Sequence, residues 1–380
     1  MKKLFAMLTA SLMCVSLAAC SSGNDGGSTT PEGNGSETTG HEIIMLTDKG
    51  TIDDKSFNQG TYEGVTAFAE ANGKTYTYIK PEDANDEAYK TAIDEAVNDG
   101  AKIIVTPGYL FEPAIYEKQT QYPDVKFILI DGYPNDGAPT NPTYKTESNT
   151  VGIKFKEEQA GYLAGYAAVK DGNTKIGFLG GMAVPAVVNF GFGYVQGAND
   201  AAKELGVNVD VMYNYTGGFA ATPEAQTLAS SWYKDGATVI FGCGGAVGNS
   251  AMSAAEATEN AYVIGVDVDQ SGESETVISS AYKQLAEAVQ DILASVYDGT
   301  FKGGENLVLG AEANAVGLPM ATSKWKTFSQ EEYDALYAKL VSGEVSPLSG
   351  TSVEGAEDPT DPTELVKVGN LQNVNVNYIK

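Results

Sequence analysis

From His41 onward the chain alternates short apolar runs with segments of helical periodicity, and that alternation is what most restricts its fold. Ile43 to Leu46, Thr75 to Lys80, Ile103 to Thr106 and Phe127 to Asp131 have the length and apolar content of buried parallel strands. Between them Tyr89, Ile93 and Val97 share one helical face, and Phe111 to Tyr122 supplies another short helix. A second series starts near Val151. Phe155, Leu163 and Tyr166 predict a helix, Lys175 to Leu179 a strand, Val187 to Leu205 a helix and Val207 to Tyr213 a strand. Thr222 to Lys234, Thr238 to Phe241, Ala246 to Thr258 and Tyr262 to Val266 continue the alternation. Roughly 340 residues exceed what one core normally holds. The expectation is an α/β fold of two lobes, each a doubly wound parallel sheet, with a cleft between them.

The first 41 residues have a different character. Lys2 and Lys3 precede an apolar stretch, Leu4 to Ala19, too short to span a bilayer comfortably, which ends in Leu17-Ala18-Ala19-Cys20. This resembles a bacterial lipoprotein signal, residues 1–19, cleaved ahead of a Cys20 that then carries lipid; an ordinary secretory signal or a membrane helix is the alternative. Two acyl chains would hold the protein stably at the cell membrane, on the extracytoplasmic face. Ser21 to Gly40 contains no large apolar side chain and cannot offset the entropy of ordering, so residues 20–41 are expected to be a disordered tether.

Composition excludes several function classes. A net charge of -26 argues against nucleic acid as a partner, since phosphates require clustered Lys and Arg. Of three cysteines, only Cys243 would remain free after processing and lipidation, which rules out a disulfide framework or a cysteine-based metal site. His41 is the only histidine, so no His-dependent dyad or His-metal centre is expected. No cofactor, metal or catalytic residue is predicted.

Chemistry concentrates in Thr47 to Gly60, TDKGTIDDKSFNQG, a strand-to-helix loop at the carboxyl edge of a sheet, where open α/β sheets bind ligands. Its acids and amides surround one large ring, Phe57, a stacking face for a flat molecule with polar groups at its rim. Asp48 follows the first strand and Asp131 the fourth, so both carboxylates reach one edge and can accept ligand N–H or O–H donors. The loop resembles the first signature of the basic membrane protein family, nucleoside-binding lipoproteins that serve ABC importers. Gly180-Gly181-Met182 through Pro185 and Phe190 is similar to the family's second signature, and Val263 to Gln270 to its Gly-Val-Asp-x-Asp-Gln. Phe241 to Asn249 matches a glycine turn less closely, with Ala246-Val247 lengthening it, and Ser279 to Lys283 matches a Ser-x-x-x-Lys.

The resemblance implies a two-lobed periplasmic-binding-protein-like (type I) fold that captures a nucleoside, a purine nucleoside in the spirochaete receptor, and passes it to ABC permease subunits. It implies ligand contacts from Asp48, Phe57, Asn58, Asp131, Phe190, Gly244, Gly245, Asp267 and Lys283. Phe57 and Phe190 would close on the base, Asp131 would read its edge, and Asp267 with Lys283 would hold the ribose. Lys283 is read here as a first-turn lysine of a helix, Ala281 to Tyr297. The implied N-terminal lobe is 42–150 plus 277–303 and the C-terminal lobe 151–276 plus 304–380, with crossovers near Ser148 to Ile153, Gly272 to Thr276 and Gly304 to Leu309. The same fold could instead serve a sugar or other small metabolite, the two acids could form a hydrolytic pair, or the protein could be structural or adhesive.

Overall fold

A computed structural model describes residues 40–380; the expected leader, Cys20 and nearly all of the tether lie outside the described residues. The strands are β1 Ile43–Leu46, β2 Tyr76–Ile79, β3 Ile103–Pro107, β4 Lys126–Ile130, β5 Thr150–Phe155, β6 Lys175–Gly180 and β7 Val209–Tyr215. They continue with β8 Val239–Cys243, β9 Tyr262–Asp267, β10 Val277–Lys283, β11 Asn306–Leu309, β12 Val316–Gly317 and β13 Val374–Tyr378. The helices are α1 Phe57–Asn72, α2 Asp86–Asp99, α3 Glu112–Gln121, α4 Glu157–Lys170 and α5 Pro185–Leu205. After these come α6 Pro223–Lys234, α7 Val247–Glu256, α8 Leu285–Asp298, α9 Gln330–Ser342 and α10 Pro362–Val368.

Two sheets result, ordered β11-β5-β4-β3-β1-β2 and β12-β10-β9-β8-β6-β7-β13. All pairs are parallel except β10 with β12. Central strands such as β1, β3, β8 and β9 are apolar and almost wholly buried, as strands covered on both faces must be. The strand order reverses between β1 and β3 in one sheet and between β6 and β8 in the other. Chains leaving the carboxyl ends of such neighbours diverge to opposite faces and leave a crevice, so the fold itself prepares two half-sites.

The strands that cross between sheets differ from expectation. Thr150–Phe155, expected to open the second lobe with Phe155 on a helix, is a strand of the first sheet, held between β4 and β11. Val277–Lys283, expected in the first lobe, pairs with β9 and β12 in the second sheet; only the following helix, α8, packs on α1 of the first lobe. Asn306–Leu309 likewise joins the first sheet. Lys283 is therefore the last residue of a strand, because pairing of Tyr282 and Lys283 with Gly317 and Val316 overrides the local helical pattern. The three crossings lie side by side: Lys156 N–H donates to Leu309 O at 2.9 Å and Gln284 N–H to Ala315 O at 2.8 Å. His41 is docked, its backbone N–H and Nδ1 both on Asp99 Oδ2.

Helices α4 and α5 approach backbone to backbone. A Cβ at Gly161 would lie 2.1 Å from Phe190 O, at Gly165 1.9 Å from Tyr194 O, at Gly193 2.2 Å from Glu158 O and at Gly197 2.0 Å from Tyr162 O. Two glycines on each helix, four residues apart, thus form one interlocked seam, and it fixes where Glu157 and Phe190 stand relative to each other. Gly165→Val should separate the helices and cost about 1–3 kcal/mol, as overpacking does. Gly272→Ala, with nothing within 4 Å of the new methyl group, should cost little. Urea denaturation of the two variants measures the contrast.

Candidate functional site

The helix that follows β1 shows how the loop chemistry is arranged. Ser56 stands at the N-cap of α1 but makes no capping bond with its side chain. Asp54 caps instead: Oδ1 accepts from the N–H groups of Ser56 (2.9 Å) and Gln59 (3.1 Å), and Oδ2 from that of Asn58 (3.0 Å). An acid is well suited there, facing the positive end of the helix. The Ser56 hydroxyl is thereby free to donate to Asp267 Oδ2, 2.5 Å away at the end of β9 in the other sheet. Beside this contact, Gln270 Nε2 donates to Lys55 O at 2.7 Å while its Oε1 accepts from Val266 N–H at 3.0 Å. The first loop is thus bonded to the second lobe.

Between the sheets lies a cavity whose empty space, open mouth included, is about 810 Å³. It is lined by Asp48, Asp54, Phe57, Asn58, Tyr109 and Asp131 from the first lobe. Met182, Val187, Phe190, Phe219, Cys243, Gly244, Gly245, Asp267 and Lys283 line it from the second. Each of the nine ligand contacts expected from the sequence lines it. Loops after β1, β3, β6 and β8, the four strands flanking the switch points, all contribute. Gly244 and Gly245 have φ of +140° and +55°, and a Cβ on Gly244 would lie 2.8 Å from Gly181 N, so only glycine lets these two loops meet.

One end of the cavity is a charge cluster. Lys283, 3% exposed, places Nζ 2.6 Å from Asp131 Oδ2, 3.5 Å from Asp267 Oδ1 and 3.8 Å from Glu157 Oε1. Its ammonium also lies over three rings, 4.5 Å from the centroid of Phe57, 5.5 Å from Phe155 and 5.6 Å from Phe190. Burial disfavours the ammonium, but the three carboxylates outweigh it and hold the lysine above its ordinary range. Asp131 is pushed upward by burial, against the pull of Lys283. Burial, with the Asp131 charge second, raises Glu157 to about 8. Asp131 and Asp267 both sit at positive φ, +58° and +66°, an arrangement that costs energy and clusters at functional sites. The other carboxylate oxygen of Asp131, Oδ1, is buried without a donor among the described residues.

The other end is set by Asp48, whose Oδ1 accepts from Gly50 N–H at 2.7 Å and Asn58 Nδ2 at 2.9 Å. Burial raises this carboxyl to about 6 despite those bonds. Asn58 spends its amide on Asp48 and Asp54, with its oxygen accepting from Asp48 N–H, so it is a brace for the acids.

Two expectations change with this geometry. Asp131, expected at the base edge, belongs with Lys283 and Asp267 instead, because the ammonium at the end of β10, in the other sheet, reaches both acids. Phe190, 1% exposed, packs edge-on against Phe241 and forms cavity floor, and the Lys283 ammonium lies over both its ring and that of Phe57. The half-buried ring on the second lobe is Phe219, in the loop after β7 and against Gly181, Gly244 and Gly245. Sequence reasoning missed it because Gly217-Gly218-Phe219 has no periodicity to place it. It also missed Glu157, since an acid in a first helical turn reads as a dipole-favoured surface group, and Gln270, quoted in a motif without a role.

Residues 41–346 match the family model described as "ABC transporter substrate-binding protein PnrA-like". The chain is 29% identical over 349 residues to the ABC transporter nucleoside-binding protein BmpA of Lactococcus lactis subsp. cremoris, which covers 86% of this chain and 94% of that protein. It is 31% identical over 319 residues to basic membrane protein A of Borreliella burgdorferi, covering 82% and 89%. Among solved structures, an ABC transporter solute-binding protein from Aeropyrum pernix K1 superposes with a TM-score of 0.72 at 24% identity, over 87% of this chain and 98% of that one. No helix among the described residues is long and apolar enough to cross a membrane.

The charge cluster carries a pH signature. Glu157 has an ordinary value of 4.5 and is raised to about 8 in the fold. Between those values the unfolded chain has released the proton while the folded chain keeps it, so stability falls as pH rises through this window. Glu157→Gln removes the contribution: relative to the unmodified protein it should gain stability from pH 5 to pH 8, measured as denaturation midpoints across that range.

Proposed function

Because the chain belongs to the family of PnrA-like ABC transporter substrate-binding proteins, we propose that its cavity captures a nucleoside between the lobes for delivery to an ABC permease. The observation that carries this reading is the presence in one cavity of half-buried phenyl rings and a buried Lys283–Asp131–Asp267 set. Phe57 and Phe219 offer flat apolar faces for the base; Phe190 supports the floor. A vicinal diol presents two O–H donors, and Asp267 with the free Oδ1 of Asp131 are acceptors from opposite lobes beside one ammonium, with Lys283 donating to a sugar oxygen. Asp48, steadied by Asn58, accepts from an N–H at the base edge. The backbone of Gly244 and Gly245 lies open to the sugar. Binding needs no catalytic residue, and none is assigned.

The same charges define what is excluded. Asp48, Asp54, Asp131 and Asp267 face the cavity and Lys283 is the cation among its lining residues, so a phosphate would be desolvated next to an excess of carboxylates. The reading is completed by a lipid on Cys20, which would keep the protein at the outer face of the cytoplasmic membrane beside its permease.

Calorimetric titration with guanosine, inosine, adenosine, their 5′-monophosphates and ribose tests the assignment. Nucleosides should bind, monophosphates at least tenfold more weakly. Phe57→Ala and Phe219→Ala should each lose about 1–3 kcal/mol, the worth of one stacking face. Binding of ribose without nucleoside would move the protein to a sugar receptor.

A further inference from the structure

The match to the family model ends at residue 346, yet the chain continues into a segment that is packed onto a helix lining the cavity. Helix α5 carries three buried amides, Asn189, Gln196 and Asn199, seven and three residues apart and so on one face. Each is bonded to the C-terminal segment. Gln196 and Leu348 exchange two bonds, Nε2 to Leu348 O at 2.9 Å and Leu348 N–H to Oε1 at 2.8 Å. Asn199 Oδ1 accepts from Asn373 N–H at 2.9 Å. Val188 and Phe192 on the same helix pack with Leu365 of α10, and β13 completes the attachment as a parallel edge strand on β7.

Asn189 receives the most: its Oδ1 accepts from Ser349 Oγ at 2.9 Å and from Thr351 N–H and Oγ1, each at 3.3 Å. An amide whose oxygen is held on one side must turn its NH₂ to the other, and Asn189 Nδ2 donates to Glu157 Oε2 at 3.2 Å. Glu157 in turn lies 3.8 Å from Lys283. Resting on the reading above that this cluster holds the ligand, we propose that segment 347–380 is a clamp on α5 whose Ser349 and Thr351 aim Asn189 at Glu157. This makes Asn189 a positioning residue for the carboxylate–lysine cluster.

The consequence is electrostatic. A donor aimed at Glu157 favours its ionised form, and it opposes burial and the charges of Asp131 after β4 and Glu158 on its own helix; the nearby Tyr133 phenol and Cys243 thiol, both raised by burial and by the Glu157 charge itself, face it as neutral groups. Lys283 acts in the same direction as Asn189. Loosening the clamp therefore leaves Glu157 protonated to higher pH and makes the cluster one charge less negative in that range.

The test uses the full chain with ¹³C-labelled glutamate and follows the Glu157 carboxyl by NMR without ligand, in the unmodified protein and in Ser349→Ala/Thr351→Val. The clamp predicts an upward shift of the titration midpoint from about 8, on the order of one unit, the size of one charge-assisted hydrogen bond. An unchanged midpoint overturns it. Should the double variant not fold, Thr351→Val alone retains the Ser349 hydroxyl donor and should give a smaller shift in the same direction, and its absence is equally decisive. Guanosine affinity measured from pH 6 to 9 should show its pH dependence displaced in parallel. If the unmodified protein binds no nucleoside, the proposed function falls while the carboxyl titration still decides the clamp.

Discussion

The burial of one ammonium group organises the structure around the cleft. Removing a lysine from water costs several kcal/mol unless charges and hydrogen-bond acceptors replace the solvent. Lys283 has replacements from six elements: Asp131 after β4, Asp267 at the end of β9, Glu157 at the start of α4, and the faces of Phe57 on α1, Phe155 on β5 and Phe190 on α5. Those elements come from both sheets, so the cation is satisfied only when the two lobes are held together near their crossings. Three acids around one cation still leave an excess of negative charge, which the protein limits by keeping Glu157 largely protonated near neutral pH.

That excess has chemical consequences for a ligand. Hydroxyl and N–H donors find acceptors already desolvated and fixed, with Asp54, Asn58 and Ser56 holding them through bonds that leave little freedom to lose. Anions find the reverse. Selection among polar metabolites can thus arise from charge alone, before any contact with the base is considered. Aromatic faces would then favour a ligand with a flat ring over a bare sugar, because a sugar has no π-face to stack.

Much of this was legible in the chain. Apolar runs such as Ile43–Leu46 and the acids directly after them give both sheet and edge, because a strand buried on both faces needs no alternation and its carboxyl end is where a parallel sheet is open. What was not legible depends on pairing across long separations. Tyr282-Lys283 looks helical until β12 is known to pair with it, and Phe155 looks helical until β11 closes the sheet beside it. The role of Asp131 depended on which strand ends opposite it, which no local pattern carries. Glu157 and Glu158 are adjacent and alike in sequence; only the α4–α5 seam, with Gly161 against Phe190 O and Gly193 against Glu158 O, aims the first at Lys283.

The contacts that close the cleft are themselves polar and span the lobes. Asp131 to Lys283, Ser56 to Asp267 and Lys55 O to Gln270 each join a residue of the first lobe to one of the second. Rotation about the three adjacent crossings would break them together, exposing Lys283 and its acids to water, which solvates them well. Opening is therefore less costly than rupture of an apolar interface of the same extent, since charges lose little when water replaces their partners. A ligand that hydrogen-bonds to Asp131 from one side and Asp267 from the other adds its bonds only to the closed arrangement. Differential affinity of that kind is the one means by which a ligand shifts a two-state equilibrium, and the proposed capture would draw it from this buried group of charges.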